Sequence, residues 1–283
     1  MEPASVVEVV EILSEVRRAN DRVLVRGYGK HSPDIRGVKR LYMRKLDWYE
    51  VRGDEVVAQA GAPVAKVQEE ALSRGYLLPT TYDGSMGALF ATNMPSPFAT
   101  GYGNPSDWVE TLKVALPGKI VSWRGFAGTF GKVGAIVEVR VKLFPRPRKV
   151  YTVETASYDM DMGLVESLIA RRPLASLIMY DGKWRAFFTF HSDLEVPGFA
   201  KEEGAVGLSF SPNKRTYWAM VGSVREFVEA VRASSPKLAL YVHGAKYAVF
   251  ENPAKVDGLR KFGEGDRRTE LLKKLFVASE AFY

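Results

Sequence analysis

A chain of 283 residues, 46% of them apolar, is long enough for one large domain or two of ordinary size and can bury a sizeable core. It has no cysteine, which excludes disulfides, thiolate nucleophiles, Cys-ligated zinc and a self-held iron–sulfur cluster, and its three histidines (His31, His191, His243) are too far apart in sequence to pair on one helix face, so no metal site is expected. The net charge of +7 is spread among 33 acidic residues, which fits a basic soluble protein, or one attracting anionic substrates and cofactors, better than a nucleic-acid binder.

Residues 3–19 place Val6, Val10, Leu13 and Val16 at spacings of three and four, the stripe of an amphipathic helix. Residues 22–26 (RVLVR) read as a short strand running into the glycine loop GYGKHSPD at 27–34. Residues 49–51 and 55–60 flank Arg52-Gly53-Asp54 as a hairpin, and Pro63 opens a second helix that Gly75 ends. From 78 to 107 no helical or strand period is visible, so a long functional loop is expected. Residues 134–144 alternate strictly and predict a half-solvated antiparallel strand, after which PRPRK at 145–149 marks a domain boundary. Beyond it strand, helix, strand, strand is expected, and a similar order is expected to recur with strands at 205–210 and 217–221, a helix at 224–233 and a strand at 238–243. This predicts an antiparallel sheet with helices on one face, and a last helix at 268–278 docks back on a core. The expected architecture is α+β, with domains at 1–146 and 147–254 and a returning segment at 255–283. No run reaches the roughly 18 apolar residues of a spanning helix, and no basic segment followed by an apolar core opens the chain. A cytoplasmic protein is therefore expected, with any membrane attachment made through a partner.

Two glycine loops carry the chemistry. In Gly27-Tyr28-Gly29-Lys30-His31-Ser32 the glycines allow positive φ, which turns successive N–H groups toward one point, fit for a diphosphate; taken alone, the motif serves equally as a plain strand-to-loop turn. The second loop, GSMGALFATN at 84–93, places small residues where backbone would touch a ligand. Together with Ala60-Gly61, GYLLP at 75–79, Gly101-Tyr102-Gly103, Asp107 and GTFGKVGAIVEVRVKLFP at 128–145, this order resembles the PCMH-type FAD-binding domain of the vanillyl-alcohol-oxidase superfamily over about residues 5–145.

The resemblance implies a two-subdomain FAD-binding domain with a smaller α+β cap. It assigns FAD contacts to Gly27, Tyr28, Gly29, Lys30, His31 and Ser32, to Ser85, Met86, Gly87, Ala88 and Asn93, and to Gly131, Gly134, Ala135, Ile136 and Val137. Some relatives attach flavin to a loop histidine, but here Lys30 separates His31-Ser32 from the glycines, so non-covalent FAD is expected. Ala88 stands for the second glycine of the usual pair, and the stretch between Leu116 and Gly131 is shorter than in the family. With the short chain and its divergent end, these departures point to the small flavin subunits of glycolate or D-lactate oxidase complexes. Such a resemblance implies an FAD-binding oxidoreductase subunit that oxidises a 2-hydroxy acid or related alcohol by hydride transfer, beside a larger flavin subunit and an iron–sulfur subunit. The alternative is a flavin-holding or regulatory subunit without a reaction of its own. His191, His243, Tyr180, Tyr247 and Arg185 are the cap's candidates for base and cation, but each also reads as a strand residue, and no catalytic residue is assigned.

Overall fold

In the computed structural model, which describes residues 1–29, 35–207, 216–264 and 266–283, the first helix is α1 (Val6–Arg18). Ser5 Oγ accepts from Glu8 N at 3.2 Å, meeting a first-turn donor, and the Glu8 carboxylate accepts from Ala4 N, just before the cap, at 2.7 Å. Val9, Leu13 and Val16 form its buried stripe. The strand β1 (Val23–Arg26) pairs in parallel with β2 (Lys39–Tyr42) across the first glycine loop. The hairpin β3 (Tyr49–Arg52) and β4 (Glu55–Gln59) follows, then α2 (Val64–Ser73) and β5 (Tyr76–Leu77).

The expected long loop at 78–107 is instead broken by three short helices, α3 (Met86–Thr92), α4 (Ala99–Tyr102) and α5 (Pro105–Trp108). The period is missing because α3 buries Met86, Gly87, Leu89 and Phe90, more than one stripe, while α4 and α5 are single turns too short to show one. After them come β6 (Val109–Leu116), β7 (Lys119–Ser122), β8 (Ala135–Lys142) and β9 (Phe144–Pro145), the last pairing with β5. Five strands form an antiparallel sheet in the order β3-β4-β8-β6-β7. On central β8, Val137, Val139 and Val141 are buried while Glu138 pairs with Lys113 at 2.7 Å on the wetter face, as the strict alternation predicts.

The second sheet has eight antiparallel strands: β10 (Tyr151–Ser157), β11 (Ala175–Tyr180), β12 (Trp184–Phe190), β13 (Ala200–Glu203), β14 (Tyr217–Met220), β15 (Ala239–Val242), β16 (Tyr247–Phe250) and β17 (Arg260–Lys261). Two β-α-β-β halves, one carrying α6 (Met162–Ala170) and the other α7 (Val224–Ser234), join where β11 pairs with β15. Of the strand expected at 205–210, residues 205–207 form no strand and 208–210 lie outside the described residues, as do 211–215; β13 precedes it at Ala200–Glu203. The sheet also reaches beyond 254, through β17. The last helix, α8 (Arg267–Leu275), gives way to a 3₁₀ turn at Val277–Ala281, and Leu272, Ala281 and Phe282 enter the core of the first sheet. Among the described residues no helix is long and apolar enough to cross a membrane.

One face of the eight-stranded sheet packs against α6 and α7, with Phe227 and Tyr241 rings stacked at 5.2 Å. The other is covered by the α4 segment, where Phe98 and Ala99 meet Leu177, Leu240 and Val242. Backbones touch here: Ser176 N donates to Pro97 O at 3.1 Å, and a Cβ at Gly244 would stand 2.3 Å from Thr100 Cα and 2.4 Å from Ala99 O. Because the obstructing atoms are backbone, they cannot swing aside. Gly244→Ala is expected to cost about 1–3 kcal/mol in denaturant unfolding and to speed protease cleavage in the 146–150 connector; an unchanged unfolding transition and unchanged cleavage would contradict this close seating of cap on α4.

Candidate functional site

Three successive carbonyls organise the site. Ala60 O accepts from Gly87 N at 2.8 Å, Gly61 O from the Tyr28 hydroxyl at 2.9 Å, and Ala62 O from Met86 N at 2.9 Å. Both glycine loops are thereby tied to the end of the β3–β4 hairpin. They also touch each other: a Cβ at Gly27 would lie 2.5 Å from Ser85 Oγ and 3.4 Å from Ala88 Cβ. Ser85 caps α3, its Oγ accepting from Ala88 N at 3.4 Å. Gly29 and Gly131 hold φ of +78° and +70°, conformations that side-chain-bearing residues rarely adopt, and a Cβ at Gly131 would approach Val25 to 3.3 Å. Burial pushes the Tyr28 phenol up, with Asp47 adding to it, so it stays the donor to Gly61.

Between these loops runs a groove of about 540 Å³, within the range of sites for drug- and cofactor-sized ligands. Its wall includes Gly27, Tyr28, Gly29, Ser85, Gly87, Ala88, Gly131 and Ile136 of the residues singled out in the sequence. Lys30, His31 and Ser32 lie outside the described residues. The remaining five are turned from the groove for packing reasons. Met86, Ala135 and Val137 are fully buried in the main core. Gly134 is small because a Cβ there would meet Val114 Cγ1 at 2.4 Å, and Asn93 ends α3 in the left-handed region, its Oδ1 accepting from Ser106 N at 2.8 Å. Gly87 both lines the groove and is pressed on Ala60, whose Cβ would be 2.6 Å from a Cβ at 87.

The sequence pattern did not mark several wall residues. Phe130, in the left-handed region at φ 54°, packs edge-on against Phe262 at 5.3 Å, which brings residues 261–264 from the cap over the groove. Lys132 lies beside it, its ammonium pushed down by burial and by Lys273 while Glu270 and Glu264 oppose the shift. Tyr283 reaches the groove because its N donates to Val23 O at 3.0 Å. Only the Gly-x-x-Gly spacing around Phe130 and Lys132 was a local signal; the others arrive from distant positions.

A smaller cavity, about 150 Å³, opens between the loop before α4 and the cap sheet. Thr80, Tyr82, Met94 and Ser96 face Met179, Leu240, Val242, Tyr247 and Val249 across it. Tyr82 and Met94 also line the groove, so the two spaces meet there. Of the cap candidates only Tyr247 is on this cavity wall, where burial drives its phenol far up and its ring stacks on Trp218 at 5.3 Å. Tyr180 packs on Trp184 toward α6 and α7, Arg185 pairs with Asp181 at 3.4 Å, and His191 is exposed. His243 sits in the β15–β16 turn with its pKa lowered by burial and then by Lys246.

Burial, assisted by Asp83, pushes the Tyr82 phenol up to about 12. The unfolded chain loses that proton near the ordinary value of 10, so between pH 10 and 12 the folded state binds more protons and stability falls as pH rises. Tyr82→Phe is expected to lose less stability across that window than the parent, by on the order of 2 kcal/mol in denaturant titrations at the two pH values. Identical losses in parent and variant would contradict the buried, neutral phenol.

Residues 1–122 match the family model described as FAD binding domain. The chain matches none of the curated proteins. Among solved structures it is similar to a two-residue variant of Phl p 4, a glucose oxidase, with a TM-score of 0.67 and 14% identity over 98% of this chain and 74% of that one; at this identity the likeness shows the fold. The groove passes a fit test of its own, since at Gly27 a side chain would fill the space between the loops and at Gly29 and Gly131 the backbone takes turns suited to glycine. Family match, fold and groove agree on an FAD-binding domain over residues 1–122.

Proposed function

We propose that the chain holds FAD without a covalent bond in the 540 Å³ groove and serves the oxidation of a CH–OH donor lodged in the adjoining cap cavity. One observation carries this reading: Tyr82 and Met94 belong to both walls, so the donor cavity and the cofactor groove adjoin there. The diphosphate belongs against residues 27–29 and 84–88. Met86 N and Gly87 N are already engaged by Ala62 and Ala60, which leaves the loop amides of the first segment and the start of the second for phosphate oxygens. Lys132 adds a cation to the wall. Bound FAD would supply the acceptor for the hydride, which carries both electrons. The protein's part is to exclude water with Met94, Leu240 and Val242 and to offer the Tyr82 and Tyr247 hydroxyls, both neutral near pH 7, to a donor's oxygen.

Membership in a multi-subunit dehydrogenase rests on the resemblance to small flavin subunits and on the lack of cysteine to hold a cluster that would pass electrons on. The reading in which the chain only holds flavin for a larger subunit is favoured by one placement. Four of the five cap candidates for base or cation lie off the cavity wall. Reduction of an artificial dye by the isolated, FAD-loaded chain separates the two.

Acid precipitation of the yellow protein is expected to leave the flavin in the supernatant, and colour held in the pellet would overturn the non-covalent reading. Ala88→Asp, which sets a carboxylate on the groove wall beside Gly27, is expected to weaken FAD binding at least tenfold, or about 1.4 kcal/mol, without loss of fold. Unchanged FAD titration by a folded Ala88→Asp would place the diphosphate elsewhere.

A further inference from the structure

The cavity between the loop before α4 and the cap sheet has a composition of its own. Its cap side is aliphatic apart from Tyr247, and its other side carries Tyr82 and Met94 with Thr80 and Ser96, whose hydroxyls already bond Tyr82 N and Pro79 O. Among the described residues no lysine, arginine, histidine or carboxylate lines it. The two phenols report on what this environment does to charge: Tyr247 is driven up by burial alone, and Tyr82 mainly so. A medium that resists forming a phenolate resists a carboxylate by the same loss of hydration. Its volume of about 150 Å³ equals that of an engineered apolar protein cavity known to accept benzene.

Resting on the reading that FAD occupies the adjoining groove, we infer that this cavity takes a compact, uncharged alcohol with an apolar body of about the size of a six-membered ring, and discriminates against 2-hydroxy acid anions. The apolar body lies among Met179, Leu240 and Val249, and the hydroxyl takes hydrogen bonds from Tyr82, where the cavity meets the groove, and from Tyr247 on the cap side. A carboxylate in the same place would leave its oxygens facing aliphatic side chains.

The probes are cyclohexylmethanol and cyclohexanecarboxylate, which share a ring and differ in charge, together with D-lactate, each titrated into the FAD-loaded full chain at neutral pH. Binding is read from the flavin absorbance and from calorimetry. The alcohol is expected to bind saturably and at least tenfold tighter than either anion. Leu240→Phe, which fills the cavity from β15, is expected to weaken the alcohol at least tenfold while FAD uptake stays as in the parent; Val249→Phe replaces it if the first variant does not fold. Equal or tighter binding of cyclohexanecarboxylate or D-lactate overturns the inference, as does failure of the alcohol to bind. Should the chain take up no FAD, the groove reading falls, and calorimetry on the flavin-free chain still decides the cavity's preference by the same criteria.

Discussion

The site depends on the carbonyls of Ala60, Gly61 and Ala62, three consecutive acceptors that bind Gly87 N, the Tyr28 hydroxyl and Met86 N. Their own amides are equally committed, to Val137, Leu46 and Gln59, so the segment is fixed from both sides. A turn anchored in this way cannot drift relative to the sheet, and neither can the two glycine loops hung from it. Buried backbone groups left unpaired are costly, which makes the arrangement close to all-or-none. Two of the small residues at this junction follow from it. Gly87 lies on Ala60 and Gly27 on Ser85, each with room for hydrogen and no more.

The cap is positioned by the same kind of contact. α4 is a single turn, yet its backbone meets Gly244 and Leu174 directly, and the Thr100 and Ser176 hydroxyls stand 2.7 Å apart across the junction. Close backbone approach fixes the width of the space left over, and that space is the cavity beneath Tyr82. The phenol is therefore held between two surfaces, the groove on one side and the aliphatic sheet on the other. Its neutrality is a product of that position rather than of a specific partner, since burial is the larger cause of its shift.

How far the sequence could be read depended on whether a residue's neighbours were local. Strand β8 was legible because one face is wet and the other is not, so burial alternates with the pleat. Helix α1 was legible from its stripe. The glycine loops announced a ligand through small residues in a row, but the sequence could not divide glycines that face the groove from those, like Gly134, that make room for Val114 and Leu116. Helices α3 to α5 were hidden because small and apolar residues on all sides of a short helix leave no period. Phe262 and Tyr283 were invisible as wall residues because pairing over long sequence distances brings them there.

The bridge between Val23 and Phe282 joins residues at opposite reaches of the chain, with Tyr283 N on Val23 O beside it. Closing so large a loop costs entropy before any contact repays it. Leu24, Val25 and Tyr283 all line the groove, so a ligand that spans it would act as a clamp between the first strand and residue 283.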